Sequence, residues 1–189
     1  MFRARRSWIL LVSVLLVTGL AAGCSEEEAA LAPAPEPETA PAPATASAVF
    51  ASLDGAIRGT ATFSEAEGGV EIHVEVEGAP PGTHGFHVHD VGDCSAEDFT
   101  SAGGHFNPTG APHAGPEDAE RHAGDLGNIE IDDAGNGHLM LTSDLLTVAE
   151  GPNSVVGRAV ILHADPDDLT SQPTGAAGAR LACGVVEAG

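Results

Sequence analysis

Two histidines stand two residues apart in the stretch GFHVHDVGD, residues 85–93, with glycines on both sides. Residues i and i+2 of a β-strand point to the same face, so His87 and His89 are predicted to project together. Phe86 and Val88 would then pack into a core on the other face. Two neighbouring imidazoles form either a solvated edge or half of a metal site, and this stretch alone leaves both readings open.

A long segment without alternating hydrophobicity follows at residues 103–127, and it contains six glycines and three prolines. A structureless loop of this length inside a compact domain is usually functional or tied down by something. We predict that a metal orders this loop, whereas the alternative is a disordered insertion that happens to carry histidines. Its potential metal ligands are His105, His113, His122 and Asp125.

Short alternating segments predict the elements that position these side chains. Residues 71–77 alternate strictly between polar and apolar types, as a half-buried strand does. Short, evenly spaced strands joined by turns favour an antiparallel sandwich or barrel, and periodicity alone does not choose between them. Further strands are predicted at 61–63, 129–132, 138–141, 155–162 and 181–186.

The N-terminal region is predicted to lie outside the folded domain. Residues 1–23 combine a basic start, an apolar stretch and small residues before Cys24, which is the layout of an export signal and resembles a lipoprotein signal. Residues 24–48 are mostly Ala, Pro and Glu and predict an extended tether. The folded domain is expected at 49–189, in an exported protein held by a lipid on Cys24 at a membrane facing the periplasm or the cell exterior. The alternative is an ordinary secreted protein that is cleaved nearby.

The cysteine count fits an exported protein. If Cys24 carries the lipid, Cys94 and Cys183 remain as a pair in a compartment that permits disulfides. We therefore predict a bridge between them, the alternative being two unrelated buried thiols.

The charge excludes two classes of partner. All seven basic residues are arginine, and residues 24–189 keep four of them against 28 acidic residues, a net charge of −24. Such a chain is not expected to bind nucleic acid or an anionic membrane surface, so any membrane contact would be through the lipid.

Five segments together resemble the copper–zinc superoxide dismutase family from about Val49 to the C-terminus. They occur in the family's order, and the spacings from His105 to His113, His122 and Asp125 agree with those of the family. The five segments are 85–93, SAGGHFNP at 101–108, HAGPEDAERHAGDLGN at 113–128, GRAVILHADPDDL at 157–169 and TGAAGARLACGVV at 174–186.

The resemblance implies an all-β fold: an eight-stranded Greek-key β-barrel of immunoglobulin-like sandwich type, with long metal-binding and channel loops. It implies one copper and one zinc per subunit, with Asp167 hydrogen-bonded to a ligand of each metal and Arg180 and Thr174 at the mouth of the copper channel. The implied copper ligands are His87, His89, His105 and His163. The implied zinc ligands are His105, His113, His122 and Asp125.

The implied activity is the dismutation of superoxide to dioxygen and hydrogen peroxide, with His105 and Arg180 as catalytic residues. Four imidazoles suit Cu(II), and three imidazoles plus a carboxylate suit tetrahedral zinc. The alternative is a non-catalytic lipoprotein that buffers or delivers copper, and retention of Arg180 argues against it because a metal store needs no cation to dock an anion. A homodimer is compatible with the resemblance, although no decisive interface patch stands out.

Overall fold

The computed structural model describes residues 42–189, and nine antiparallel β-strands with one short 3-10 helix, Thr100–Ala102, make up its regular structure. The predicted signal at 1–23, Cys24 and most of the predicted tether lie outside the described residues. The strands are β1 (Thr45–Ala51), β2 (Arg58–Ala66), β3 (Gly69–Glu77), β4 (Gly82–His89), β5 (Asp125–Ile131), β6 (Gly137–Ser143), β7 (Ala159–His163), β8 (Arg180–Val185) and β9 (Glu187–Ala188).

The strands close into a barrel. Their order is β2-β3-β6-β5-β4-β7-β8-β1-β9, and an additional β1–β2 pairing joins the two ends. The two-residue β9 follows β8 after one residue and also pairs with β1, so the barrel has eight full strands. Because β3 is followed in sequence by β4 but lies beside β6, the chain crosses over as in a Greek key. The predicted eight-stranded Greek-key barrel is confirmed.

Alternation of side chains builds the core. Along β3, Val70, Ile72, Val74 and Val76 are buried, and the residues between them face outward. Strand β4 departs from this pattern because all residues from His84 to His89 are buried. Its Phe86 and Val88 belong to the barrel core, so the other face of β4 must be covered by loops.

Three predicted boundaries are corrected by the structure. Strand β1 begins at Thr45, so the last four residues assigned to the tether pair with β2. Residues 155–158 form turns rather than strand, and β7 begins at Ala159. The loop predicted at 103–127 ends earlier, because Asp125 is already the first residue of β5. At the starts of β1 and β5, the local sequence pattern is weak, and pairing with a neighbouring strand determines that these residues form a strand.

Two long connections cover the outer face of β4: residues 90–124 between β4 and β5, and residues 164–179 between β7 and β8. The first is fastened to the barrel by a disulfide between Cys94 and Cys183 of β8, so the predicted bridge is present. In the part of the chain that the structure describes, no helix is long and apolar enough to cross a membrane.

Candidate metal centre

Four buried imidazoles meet on the outer face of β4. His87 and His89 lie on the strand, and an isolated bridge pairs His89 with His105 of the long loop. Neighbouring strand β7 ends with His163, whose Nε2 lies 3.3 Å from Nε2 of His89. One nitrogen from each of these four rings lies within 4.8 Å of the corresponding nitrogens of the other three, so the group could hold a metal ion.

Each ring of this group is oriented by a hydrogen bond or a second contact on its far side. Nε2 of His87 lies 2.8 Å from the Asp167 carboxylate, and Nδ1 of His89 donates to the Gly103 carbonyl at 2.9 Å. These bonds fix which nitrogen of each ring remains available to a metal. The available atoms are Nδ1 of His87 and Nε2 of His89.

A second group, of three imidazoles and one carboxylate, lies beside the first, and its three imidazoles surround one carboxylate oxygen. Oδ1 of Asp125 is 2.8 Å from Nδ1 of His105, 2.9 Å from Nδ1 of His113 and 3.1 Å from Nδ1 of His122. Ligands at ordinary zinc distances in a tetrahedron are about 3.3 Å apart, so a zinc ion fits with little adjustment. The second oxygen of Asp125 accepts bonds from the backbone amides of residues 114 and 122, which hold the carboxylate in place.

His105 belongs to both groups. Its Nδ1 faces Asp125, whereas its Nε2 faces the four-imidazole group. Among the described residues, two buried side-chain polar atoms have no hydrogen-bond partner, Nε2 of His105 and Nδ1 of His87. Unpaired buried polar atoms are costly, and both of these point into the first group. The residues therefore fit a pair of metals that share one imidazole.

The protonation states of three histidines and of Asp125 favour metal binding. Burial lowers the pKa of His89 to about 2 and the pKa of His163 to about 4, and burial holds the pKa of His87 well below its usual range. Burial would raise the pKa of Asp125, but hydrogen bonds from His105 and a backbone amide bring it down to about 2. Neutral imidazoles and an ionised carboxylate are the forms that ligate metals.

Asp167 connects the two groups from behind. Its Oδ2 is 2.8 Å from Nε2 of His87, and its Oδ1 is 2.9 Å from Nε2 of His113. This double contact is the one that the sequence analysis expected for Asp167. The pKa of His113 is raised because its two carboxylate partners, Asp125 and Asp167, outweigh the effect of burial.

Three supporting residues were missed by the sequence analysis. Asn128 exchanges two hydrogen bonds with the backbone of Asp167, and Gln172 does the same with the backbone of His113. Gly175 has a φ of +64° and lies so close to Asp167 that a Cβ would be 1.8 Å from its Oδ1. Asn128 and Gly175 lie within two of the five segments that resemble the family, 113–128 and 174–186. The presence of an amide side chain and of a glycine in those segments was the signal that could have identified them.

Arg180 lies at the edge of the four-imidazole group. Its guanidinium donates to the carbonyls of Phe99 at 2.5 Å and Gly103 at 2.6 Å. The Gly103 carbonyl also accepts the bond from His89, so this one oxygen ties Arg180 to a ring of the metal group. Thr174 is half-buried in the 164–179 loop.

Arg180 differs from the other arginines of the described chain in its charge partners. Arg58 pairs with Glu77, Arg121 with Asp144 and Arg158 with Asp90. Within residues 42–189, Arg180 is the arginine without a carboxylate at ion-pair distance. Its two hydrogen bonds go to neutral carbonyls, so its positive charge remains available to an anion.

Comparisons with known proteins agree with this geometry. The sequence profile of the family described as "Copper/zinc superoxide dismutase (SODC)" matches residues 57–186. "Superoxide dismutase [Cu-Zn] 2" of Brassica juncea is 49% identical over 146 residues, covering 74% of this chain and 94% of the relative. A solved structure titled "Crystal Structure Analysis of the clock protein EA4" superposes with a TM-score of 0.71 at 39% identity, covering 79% of this chain and 98% of that one.

Fold and site define a closed β-barrel protein with two histidine-rich metal sites that share one imidazole. The chain belongs to the copper/zinc superoxide dismutase family. It is an enzyme that dismutates superoxide, and its cofactors are copper and zinc.

Proposed function

We propose that His87, His89, His105 and His163 hold the copper at which superoxide is dismutated. The position of His105 in both groups carries this proposal, since one imidazole with both nitrogens directed at metal positions is of little use to a single-metal store. Copper, when bound, supplies a one-electron redox couple that zinc lacks. A donor set of four imidazoles without sulfur suits the Cu(II) state of that couple.

His105, His113, His122 and Asp125 are proposed to hold zinc. Three of these residues lie in the 90–124 loop, which has little regular structure of its own, and Asp125 begins β5. Zinc would therefore fasten the loop to the barrel wall and fix the ring of His105. Asp167 would keep one ring on each side in its binding orientation.

Substrate docking and proton transfer are assigned to Arg180 and His105. Arg180 docks the superoxide anion with a charge that has no carboxylate at ion-pair distance in the described chain. His105 can hold a proton on Nε2, a buried atom without a hydrogen-bond partner, and pass it to a superoxide ion as this ion is reduced to hydrogen peroxide, with water supplying the second proton. The guanidinium of Arg180 is also a feature that a copper-buffering protein would not need.

The assignment of the two metals is tested by measuring copper and zinc per chain in two matched variants. His89→Ala is expected to lose copper and activity while keeping zinc and the fold. His122→Ala is expected to lose zinc, loosen the loop and alter the Cu(II) electron paramagnetic resonance spectrum. Near-normal turnover in His89→Ala, or retention of zinc in His122→Ala, would overturn the assignment.

We also propose that the protein is exported and anchored through a lipid on Cys24. The support is the sequence of residues 1–24 and the predominance of Ala, Pro and Glu before the barrel. A disulfide between Cys94 and Cys183 is typical of oxidising compartments and adds to that support. Mass spectrometry of membrane-extracted protein is expected to find an acylated N-terminal Cys24. A soluble product that begins elsewhere would contradict the anchor and leave the enzyme assignment standing.

A further inference from the structure

Two histidines take no part in the metal centre or its support. The chain has nine histidines, of which six lie in the two metal groups. His84 packs both ring nitrogens against backbone carbonyls, of Pro80 and of His163. The remaining two, His73 and His138, lie on neighbouring strands, β3 and β6.

These two histidines lie beside an exposed methionine. His73 is the direct partner of Met140 across the β3–β6 ladder, and His138 precedes Met140 by two residues on β6. All three side chains face solvent: His73 alternates with the buried Ile72 and Val74 on β3, and His138 and Met140 alternate with half-buried leucines on β6. The rings of His73 and His138 lean toward each other, with centroids 6.4 Å apart in an edge-to-face arrangement.

The exposure of Met140 has no packing explanation. This side chain is 60% exposed, among the few large apolar side chains that the described domain leaves in water. Directly opposed residues of an antiparallel pair have Cβ atoms about 4.5–5.5 Å apart, and diagonal neighbours lie within reach of long side chains. The Met140 sulfur and the two imidazoles can therefore approach one point above the sheet by side-chain rotation alone.

We propose that His73, His138 and Met140 form a surface site for Cu(I). A thioether with imidazoles is a soft donor set that suits Cu(I), whereas Mg²⁺ and Ca²⁺ require oxygen ligands. Glu71 and Glu75 flank His73 on the same face of β3, and Glu75 is the cross-strand partner of His138. Their charges raise the local concentration of cations without having to ligate the metal.

This surface site is separate from the metal centre. Strand β5 lies between β6 and β4, and the three side chains point away from the barrel core. The two sites share no residue, so a copper ion on this face forms a second and more accessible pool.

The test uses the full protein with copper and zinc already in the centre, kept reduced under anaerobic conditions. Cu(I) is titrated in competition with bicinchoninate, and one additional Cu(I) per chain is expected to bind. Met140→Leu replaces the thioether by a similar apolar shape. Loss of a partner behind a metal ligand weakens binding about tenfold or more, and loss of this ligand sulfur is expected to weaken Cu(I) binding by at least as much. His73→Gln is expected to weaken it similarly, with the barrel centre keeping its metals in both variants.

A second measurement locates the ion. Methionine labelled with ¹³C at the methyl group marks two positions of the sequence, Met1 and Met140, so the Met140 methyl signal is expected to shift on addition of Cu(I). Glu71→Gln is the matched control, because it removes a neighbouring charge and leaves all three donors. The proposal is overturned if no additional Cu(I) binds, if Met140→Leu binds as tightly as the parent protein, or if Glu71→Gln weakens binding as much as Met140→Leu does.

Discussion

Asn128 and Asp167 exchange two hydrogen bonds between β5 and the loop that follows β7. The Asp167 amide donates to Oδ1 of Asn128 at 2.7 Å, and Nδ2 of Asn128 donates to the Asp167 carbonyl at 2.9 Å. These bonds fix the backbone of Asp167, and its carboxylate is thereby left to orient His87 and His113. The metal groups thus depend on a side chain that contacts neither of them directly.

Asn128→Ala is expected to weaken metal retention about 10- to 100-fold, because partners behind the ligands orient them. Dialysis against a chelator, followed by copper and zinc analysis, measures this. Asn153→Ala is the control, since Asn153 also donates to a backbone carbonyl, that of Leu145, but lies in another loop. Equal metal loss in the two variants would mean that Asn128 acts through general stability alone.

Gly175→Ala is expected to displace Asp167 and to release metal from both groups. The new Cβ would lie 1.8 Å from Oδ1 of Asp167, a distance that one of the two must relieve. Gly110→Ala separates this effect from backbone strain, because Gly110 has a similar φ of +72° with open space around its Cβ position. Both variants pay about 1–2 kcal/mol for the left-handed backbone. If Gly110→Ala loses as much metal as Gly175→Ala, the contact with Asp167 is irrelevant.

Removal of the disulfide is expected to lower stability and to free the segment that holds Arg180. Cys94 and Cys183 are 89 residues apart, and the chain-entropy model gives a loop of this length about 4–5 kcal/mol. Cys183 also packs with Phe99 and Ala102, next to the carbonyls that anchor Arg180. Thermal unfolding of metal-loaded Cys94→Ser/Cys183→Ser measures the loss, and an unchanged Tm would contradict it.

The rate with superoxide is expected to stay flat or rise as salt is added. From Val49 onward the sequence holds 23 acidic residues against four arginines and no lysine, a net charge of −19. The Debye length falls from about 30 Å at 0.01 M salt to about 3 Å at 1 M, so salt removes distant repulsion before it weakens the attraction of Arg180.

The second-order rate constant for the reaction with superoxide, measured at several NaCl concentrations and fixed pH, tests this dependence. Arg180→Glu should be slower at every salt concentration, since this charge lies at the proposed docking position. Acidic neighbours such as Asp98, which lines the same surface cavity as Arg180, reinforce the repulsive field. A steep fall in rate with salt for the parent protein would contradict the charge argument.

The features that could be predicted from the sequence were those that depend on local residue patterns. Strict alternation located β3, and the His-x-His spacing placed His87 and His89 together on β4. The start of β1 escaped because Thr45 to Ala48 have a composition typical of a tether and become a strand only by pairing with β2. Asn128 and Gln172 were not predicted for a related reason: their partners Asp167 and His113 lie 39 and 59 positions away, and only the folded barrel brings them into contact.

The number of superoxide ions consumed per copper tests the central claim most directly. Pulse radiolysis of the metal-loaded protein in large substrate excess would follow superoxide decay and the peroxide and dioxygen formed. We predict many turnovers per copper, with equal amounts of hydrogen peroxide and dioxygen, and a strongly reduced rate in Arg180→Ala at unchanged metal content. Consumption that stops at about one superoxide per copper would instead identify a copper-binding protein without dismutase turnover.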